Sequence, residues 1–159
     1  IIVDVLKGWL PSAIFAPTFF HTQQIPDLGV LQILCGFFAV LGHTYTIFAK
    51  FKGGKGVATL VGMALALFPT VFPFCLSVAV LTIILTGYVS LASILASSSL
   101  PVFLFLLPPF LGMKPASLSL MIFSLLIPWF IIFTHRRNIQ RLRSNKENRF
   151  EKAMIFKKK

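Results

Sequence analysis

The sequence predicts an all-α polytopic membrane protein, a helical bundle of about six short spans, and three observations carry that reading. Of 159 residues, 57% are hydrophobic and only four side chains are acidic, a balance that excludes a soluble domain. The apolar residues fall in long runs separated by short connections that hold Pro, Gly or polar groups. Positive charge gathers outside those runs, with ten Lys or Arg between His135 and Lys159. We read residues 1–159 as a single integral-membrane domain ending in a basic C-terminal segment, 135–159. A net charge of +11 would suit nucleic acid, but no soluble module remains to read bases, so the bilayer and anionic substrates are the expected partners. Cys35 and Cys75 lie in apolar runs without ligand-like spacing and are read as small buried residues, with no metal site expected.

Ile1 to about Thr18 forms the first span. It opens inside an apolar run, with no initiator Met and no basic n-region, and the expectation is a chain whose beginning is missing. Asp4 and Lys7 share one helix face, either snorkelling to the interface or facing the bundle interior. Phe20 to Leu28 is a polar connection without Lys or Arg, and Gly29 to about Phe48 is the second span. Val57 to about Val71 is a thin third span, roughly 22 Å at 1.5 Å per residue, ended by Pro69 and Pro73. Phe74 to Thr86, Leu91 to Leu111 and Ser117 to Thr134 complete the set, with kinks expected at Pro101 and Pro128. Four spans between Lys55 and Arg136 return the chain to one side, which the positive-inside rule makes cytoplasmic.

Between the second and third spans lies Lys50-Phe51-Lys52-Gly53-Gly54-Lys55-Gly56. Glycines let backbone N–H groups approach a phosphate, the helix from Val57 offers its positive end, and Lys55 adds a full charge. A loop that only fixes membrane orientation is the competing reading. It is not a Walker A loop, because Ala49 and Gly56 stand where that motif needs Gly and Ser or Thr. His43, at the end of the second span, reads first as an interfacial residue bonded to backbone. The tail opens with His135-Arg136-Arg137-Asn138-Ile139-Gln140-Arg141-Leu142. If the last helix continues, His135 and Asn138 lie one turn apart on one face and Arg141 follows one turn later. That set is either a basic anchor or, beside the glycine-lysine loop, a source of hydrogen bonds and a proton carrier at a phosphate.

Gly42 to Thr59, GHTYTIFAKFKGGKGVAT, resembles the second motif of the bacterial membrane-integral glycerol-3-phosphate acyltransferases that use acyl-phosphate as donor. His135 to Glu147, HRRNIQRLRSNKE, resembles their third motif, and Asp4-Val5-Leu6-Lys7-Gly8 and Tyr88-Val89-Ser90-Leu91-Ala92-Ser93 resemble further family stretches. The resemblance implies transfer of a fatty acyl group from acyl-phosphate to the 1-hydroxyl of sn-glycerol 3-phosphate, giving lysophosphatidic acid and phosphate for phospholipid biosynthesis. It implies catalytic roles for Lys55 and His135, and substrate binding by His43, Gly53, Gly54, Lys55, Gly56, His135, Asn138 and Arg141. No cofactor is implied, since the donor is already an activated anhydride. The proton acceptor is either His135 or a phosphate oxygen of the donor. The implied location is the bacterial plasma (inner) membrane, crossed several times, with the active face cytoplasmic.

Four departures stand out. Thr46 replaces the family's usual Pro, Asn145 its Gly and Gly87 its Arg; Asn145 is expected to tolerate a left-handed backbone. The family's first helix and first motif, a Ser-, Gly- and Asn-rich loop with an Arg, would precede Ile1, so the chain as given is expected to be an inactive fragment. Two other classes compete: a small transporter with an anion-collecting mouth, and a non-catalytic protein whose basic face binds anionic lipid. The transporter is disfavoured by the lack of polar residues at mid-depth and of an inverted repeat. The lipid binder assigns nothing to the glycines.

Overall fold

A computed structural model describes residues 1–22, 27–46 and 54–155. Gly53, with Lys50 and Lys52, lies outside the described residues. Among the described residues the long apolar runs are helical: α1 (Ile2–Leu10) and α2 (Ala16–Thr22), joined by a π-helical turn (Pro11–Phe15), then α3 (Leu28–Thr44), α4 (Val57–Leu67), α5 (Phe72–Thr86), α6 (Val89–Phe110) and α7 (Leu118–Thr134). A polar helix, α8 (Arg136–Arg143), and a 3-10 turn (Glu151–Ala153) follow.

The chain divides into two compact units, Ile1–Thr70 with Ser117–Leu120, and Val71–Ala116 with Met121–Lys159. In the first, α1 and α4 touch backbone to backbone. A Cβ on Gly8 would overlap the carbonyl oxygen of Thr59, and one on Gly62 that of Val5. Small residues at the crossing are the usual way for membrane helices to gain van der Waals contact where no hydrophobic force drives them together. Pro11, which lacks an N–H, opens the π-helical turn, and the turn is secured by a reciprocal pair. Gln32 Nε2 donates to the Ser12 carbonyl at 3.0 Å, and Ser12 Oγ donates to the Gln32 carbonyl at 3.1 Å. At the start of α3, the Asp27 carboxylate accepts the Gly29 N–H at 2.7 Å, an N-cap.

The second unit is built on the α5–α6 hairpin, with Cys75, Ala92, Leu100, Leu104, Ile127 and Ile131 in its core. Pro73 sits in the first turn of α5, where its missing N–H costs nothing, while α6 runs unbroken through Pro101, Pro108 and Pro109. Large apolar side chains point outward along these helices, Leu81, Phe105, Leu125 and Trp129 among them, as a lipid-facing surface requires.

Helix ends differ from the sequence expectation in several places, the first run staying helical to Thr22 where a connection from Phe20 was expected. Among the described residues, α6 alone is long and apolar enough to cross a bilayer unaided, while α3, α5 and α7 have 15 to 17 residues. The third span, expected to reach Val71, stops as a helix at Leu67. Pro69 is the cause: it drives Phe68 out of the helical region, to φ −129° and ψ 51°. The last helix also does not continue past His135. The axes of α7 and α8 differ by 64°, because His135 adopts φ −97° and ψ 10° and serves as the N-cap of a new helix.

Candidate functional site

In the first unit the described part of the glycine-lysine loop begins at Gly54 and runs directly into α4. Gly56 caps that helix with φ 72° and ψ 0°, a left-handed conformation that a side chain would strain. The first turn of α4, whose N–H groups have no carbonyl partner within the helix, opens directly from the loop, with Lys55 exposed beside it. Thr59, in that first turn, is fully buried and its hydroxyl has no hydrogen-bond partner among the described residues.

Gly54 lies against the ring of His43: a Cβ there would be 2.7 Å from His43 Nε2. The other ring nitrogen faces Asp4, with Nδ1 3.5 Å from Oδ1, and Asp4 also pairs with Lys7 at 3.7 Å. Asp4 thus joins a protein contact instead of reaching only for the interface. His43 spans from a carboxylate on α1 to the backbone of the loop, and a carboxylate on one nitrogen orients the ring.

The second unit holds the tail residues. His135 and Asn138 are buried, at 4% and 7% exposure, which an anchor that merely faces lipid headgroups would not require. His135 Nδ1 lies 2.9 Å from the Ile131 carbonyl. A carbonyl only accepts, so the proton sits on Nδ1 and Nε2 is the acceptor in the neutral ring, a tautomer assigned from this bonding. Asn138 and Arg141 share one face of α8 as expected and converge on Glu147. Asn138 Nδ2 donates to Oε1 at 2.7 Å, Ser90 Oγ donates to the same oxygen at 2.9 Å, and Arg141 Nε donates to Oε2 at 2.7 Å. Burial alone would raise the Glu147 pKa; the hydrogen bonds from Asn138, Ser90 and Arg141 outweigh it and hold the carboxyl below its ordinary range.

The structure thus brings together His43 with Gly54, and Asn138 with Arg141. Ser90, Glu147 and Asp4 are the residues that sequence reasoning quoted within motifs without giving them a place in a site. The available signal was charge: Glu147 and Asp4 are two of only four acids in a strongly basic chain, and an acid retained among arginines usually has partners.

A sequence model of the glycerol-3-phosphate acyltransferase family matches residues 1–145. Glycerol-3-phosphate acyltransferases of Chlorobium limicola and Geotalea daltonii are 36% and 40% identical to the chain. The first alignment covers 93% of this chain and 72% of the relative, the second 96% and 71%. Two crystal structures of PlsY (YgiH), an integral membrane glycerol 3-phosphate acyltransferase, share the fold. Its lysophosphatidic acid form gives a TM-score of 0.75 at 35% identity, covering 93% of this chain and 69% of that one. Its glycerol 3-phosphate form gives 0.76 at 36% identity, covering 94% and 68%. The chain is an integral membrane protein and belongs to the glycerol-3-phosphate acyltransferase family.

Proposed function

We propose that the protein transfers a fatty acyl group from acyl-phosphate to the 1-hydroxyl of sn-glycerol 3-phosphate at the cytoplasmic face of a bacterial plasma membrane. The observation that carries the phosphate-handling part of this reading is the loop itself. A lysine between two glycines, one of them left-handed, opens a helix whose free N–H groups suit an anion. Lys55, with Gly54 and Gly56, receives substrate phosphate, and His43 backs the loop. His135, Asn138 and Arg141 hold the glycerol phosphate. The hydroxyl oxygen attacks the acyl carbonyl carbon, the bond from that carbon to the phosphate oxygen breaks, and inorganic phosphate leaves. The hydroxyl proton passes to His135 or to a phosphate oxygen of the donor. Positioning and charge stabilisation supply the rate, because the anhydride needs no further activation.

The protein, in a version as long as the relatives it matches and reconstituted in lipid, is tested with palmitoyl-phosphate, or with palmitoyl thioester in its place, and radiolabelled glycerol 3-phosphate. Lysophosphatidic acid should form with the acyl-phosphate alone; equal use of the thioester would refute the donor assignment. A charge-assisted contact to phosphate contributes on the order of 1.5–3 kcal/mol, so Lys55→Ala should lose about ten- to more than hundredfold in use of the acceptor. Lys55→Arg should not fully restore it, since a planar fork does not replace an ammonium. Substituting His135 or Asn138 should weaken acceptor saturation or turnover and leave chain-length preference alone. An altered chain-length profile with unchanged acceptor kinetics would reassign both residues to the acyl chain.

A further inference from the structure

The family match ends at residue 145, yet the chain beyond it is built into the second unit. Asn145 turns it with φ 56°, and the following residues run back along the α5–α6 corner in antiparallel order. Glu147 accepts from Ser90, Arg149 Nε donates to the Tyr88 hydroxyl at 2.8 Å, the Phe150 N–H donates to the Gly87 carbonyl at 2.7 Å, and the Ile155 N–H to the Ile84 carbonyl at 3.2 Å. The Arg149 guanidinium also lies over the Tyr88 ring, 4.9 Å from its centroid. Ile84 belongs to the last turn of α5, whose carbonyls have no partner within the helix, so the segment completes that helix end. Gly87 makes room for it: a Cβ there would meet Met154 Sδ at 2.7 Å and Arg149 Cβ at 3.4 Å.

We propose that residues 145–155 form a strap that positions the Ser90–Asn138–Arg141–Glu147 cluster for glycerol 3-phosphate, with Arg149 as a positioning residue acting through Tyr88. The proposal rests on the reading that this cluster receives the glycerol phosphate. Ser90 is two residues beyond Tyr88, and Glu147 is two residues before Arg149, so the two contacts close one short ladder. Fastening the outer rung fixes the serine that Glu147 must reach while it also holds Asn138 and Arg141. A plain basic tail would owe its effect to charge, and then Lys152, exposed in the 3-10 turn, would serve as well as Arg149.

The test uses the full chain in lipid nanodiscs, with amide hydrogen exchange over 88–90 and 136–143 and the affinity for glycerol 3-phosphate measured in parallel. Arg149→Ala removes one hydrogen bond and one cation–π contact, and should speed exchange in both segments and weaken binding about 3- to 10-fold. Gly87→Ala, which obstructs the strap from the other side, should do the same, whereas Lys152→Ala should change neither readout. Unchanged exchange in Arg149→Ala overturns the strap whatever the binding result. Equal weakening by Arg149→Ala and Lys152→Ala overturns it in favour of simple attraction. Faster exchange with unchanged affinity overturns the positioning role. If the unaltered protein fails to bind glycerol 3-phosphate, the functional reading fails, and exchange alone decides the strap.

Discussion

Gly54 and Gly56 flank one lysine but are glycines for different reasons, and the difference can be measured. At Gly56 the constraint is its own backbone, since φ 72° costs an L side chain about 1–2 kcal/mol whatever surrounds it. At Gly54 the constraint is a neighbour, the His43 ring, whose Nε2 would have to retreat, loosening the contact of Nδ1 with Asp4. Gly54→Ala should therefore raise the KM for glycerol 3-phosphate several-fold, and pairing it with His43→Ala should give a protein no worse than His43→Ala alone. Gly56→Ala should gain nothing from the same partner. Additive losses at Gly54 and His43 in steady-state kinetics would show that the contact is incidental. Asn145 belongs to the same scale: it stands at a left-handed φ of 56°, which Asn was expected to tolerate as one of the few side chains that can.

The helices themselves were legible because hydropathy and proline punctuation act locally. Their ends were less so. Continuation past His135 was left open, since nothing in the local pattern separates a continuing helix from one that bends by 64° and presents its arginines outward. The contact of α1 with α4 was also invisible. Nothing in the sequence marks Gly8 and Gly62 as a crossing until the backbones are seen to meet across them. The docking of α8 depends on Glu147, and its pH response follows from a carboxyl pulled below the ordinary value near 4.5. A depressed folded-state pKa contributes stability that is present above the unfolded value and is lost as pH falls through the folded one. Hydrogen-exchange protection of α8 should accordingly be constant near neutrality and fall on acidification below about 4.5. Glu147→Gln should be less protected at neutral pH and should lose that acid-dependent component. An acid response retained by Glu147→Gln would assign it to another group.

At the scale of the molecule, the sequence was sufficient for an all-helical membrane protein because composition and charge asymmetry are global properties that need no contacts. The candidate site was only half legible. Lys55, His135 and Asn138 could be named from motifs, but Glu147 and Ser90 are 57 residues apart and meet only once the tail folds back. Sidedness is the remaining whole-chain property that charge alone predicts. The helix α7 carries 17 residues, about 26 Å at 1.5 Å per residue, a length that crosses where the bilayer thins to meet it. Before it, the turn 111–117 holds a single lysine, Lys114; after it come ten Lys or Arg. Such an imbalance within reach of one span predicts its direction, with the arginine-bearing end expected on the cytoplasmic side. Met113 and Ser144 are both exposed, one at each end, and suit cysteine labelling once Cys35 and Cys75 are replaced by Ala. In right-side-out vesicles an impermeant maleimide should modify Met113→Cys and spare Ser144→Cys, and in inverted vesicles the pattern should reverse. Labelling of both from one side would mean that α7 does not cross, and the cytoplasmic placement of His135 and Asn138 would have to be abandoned.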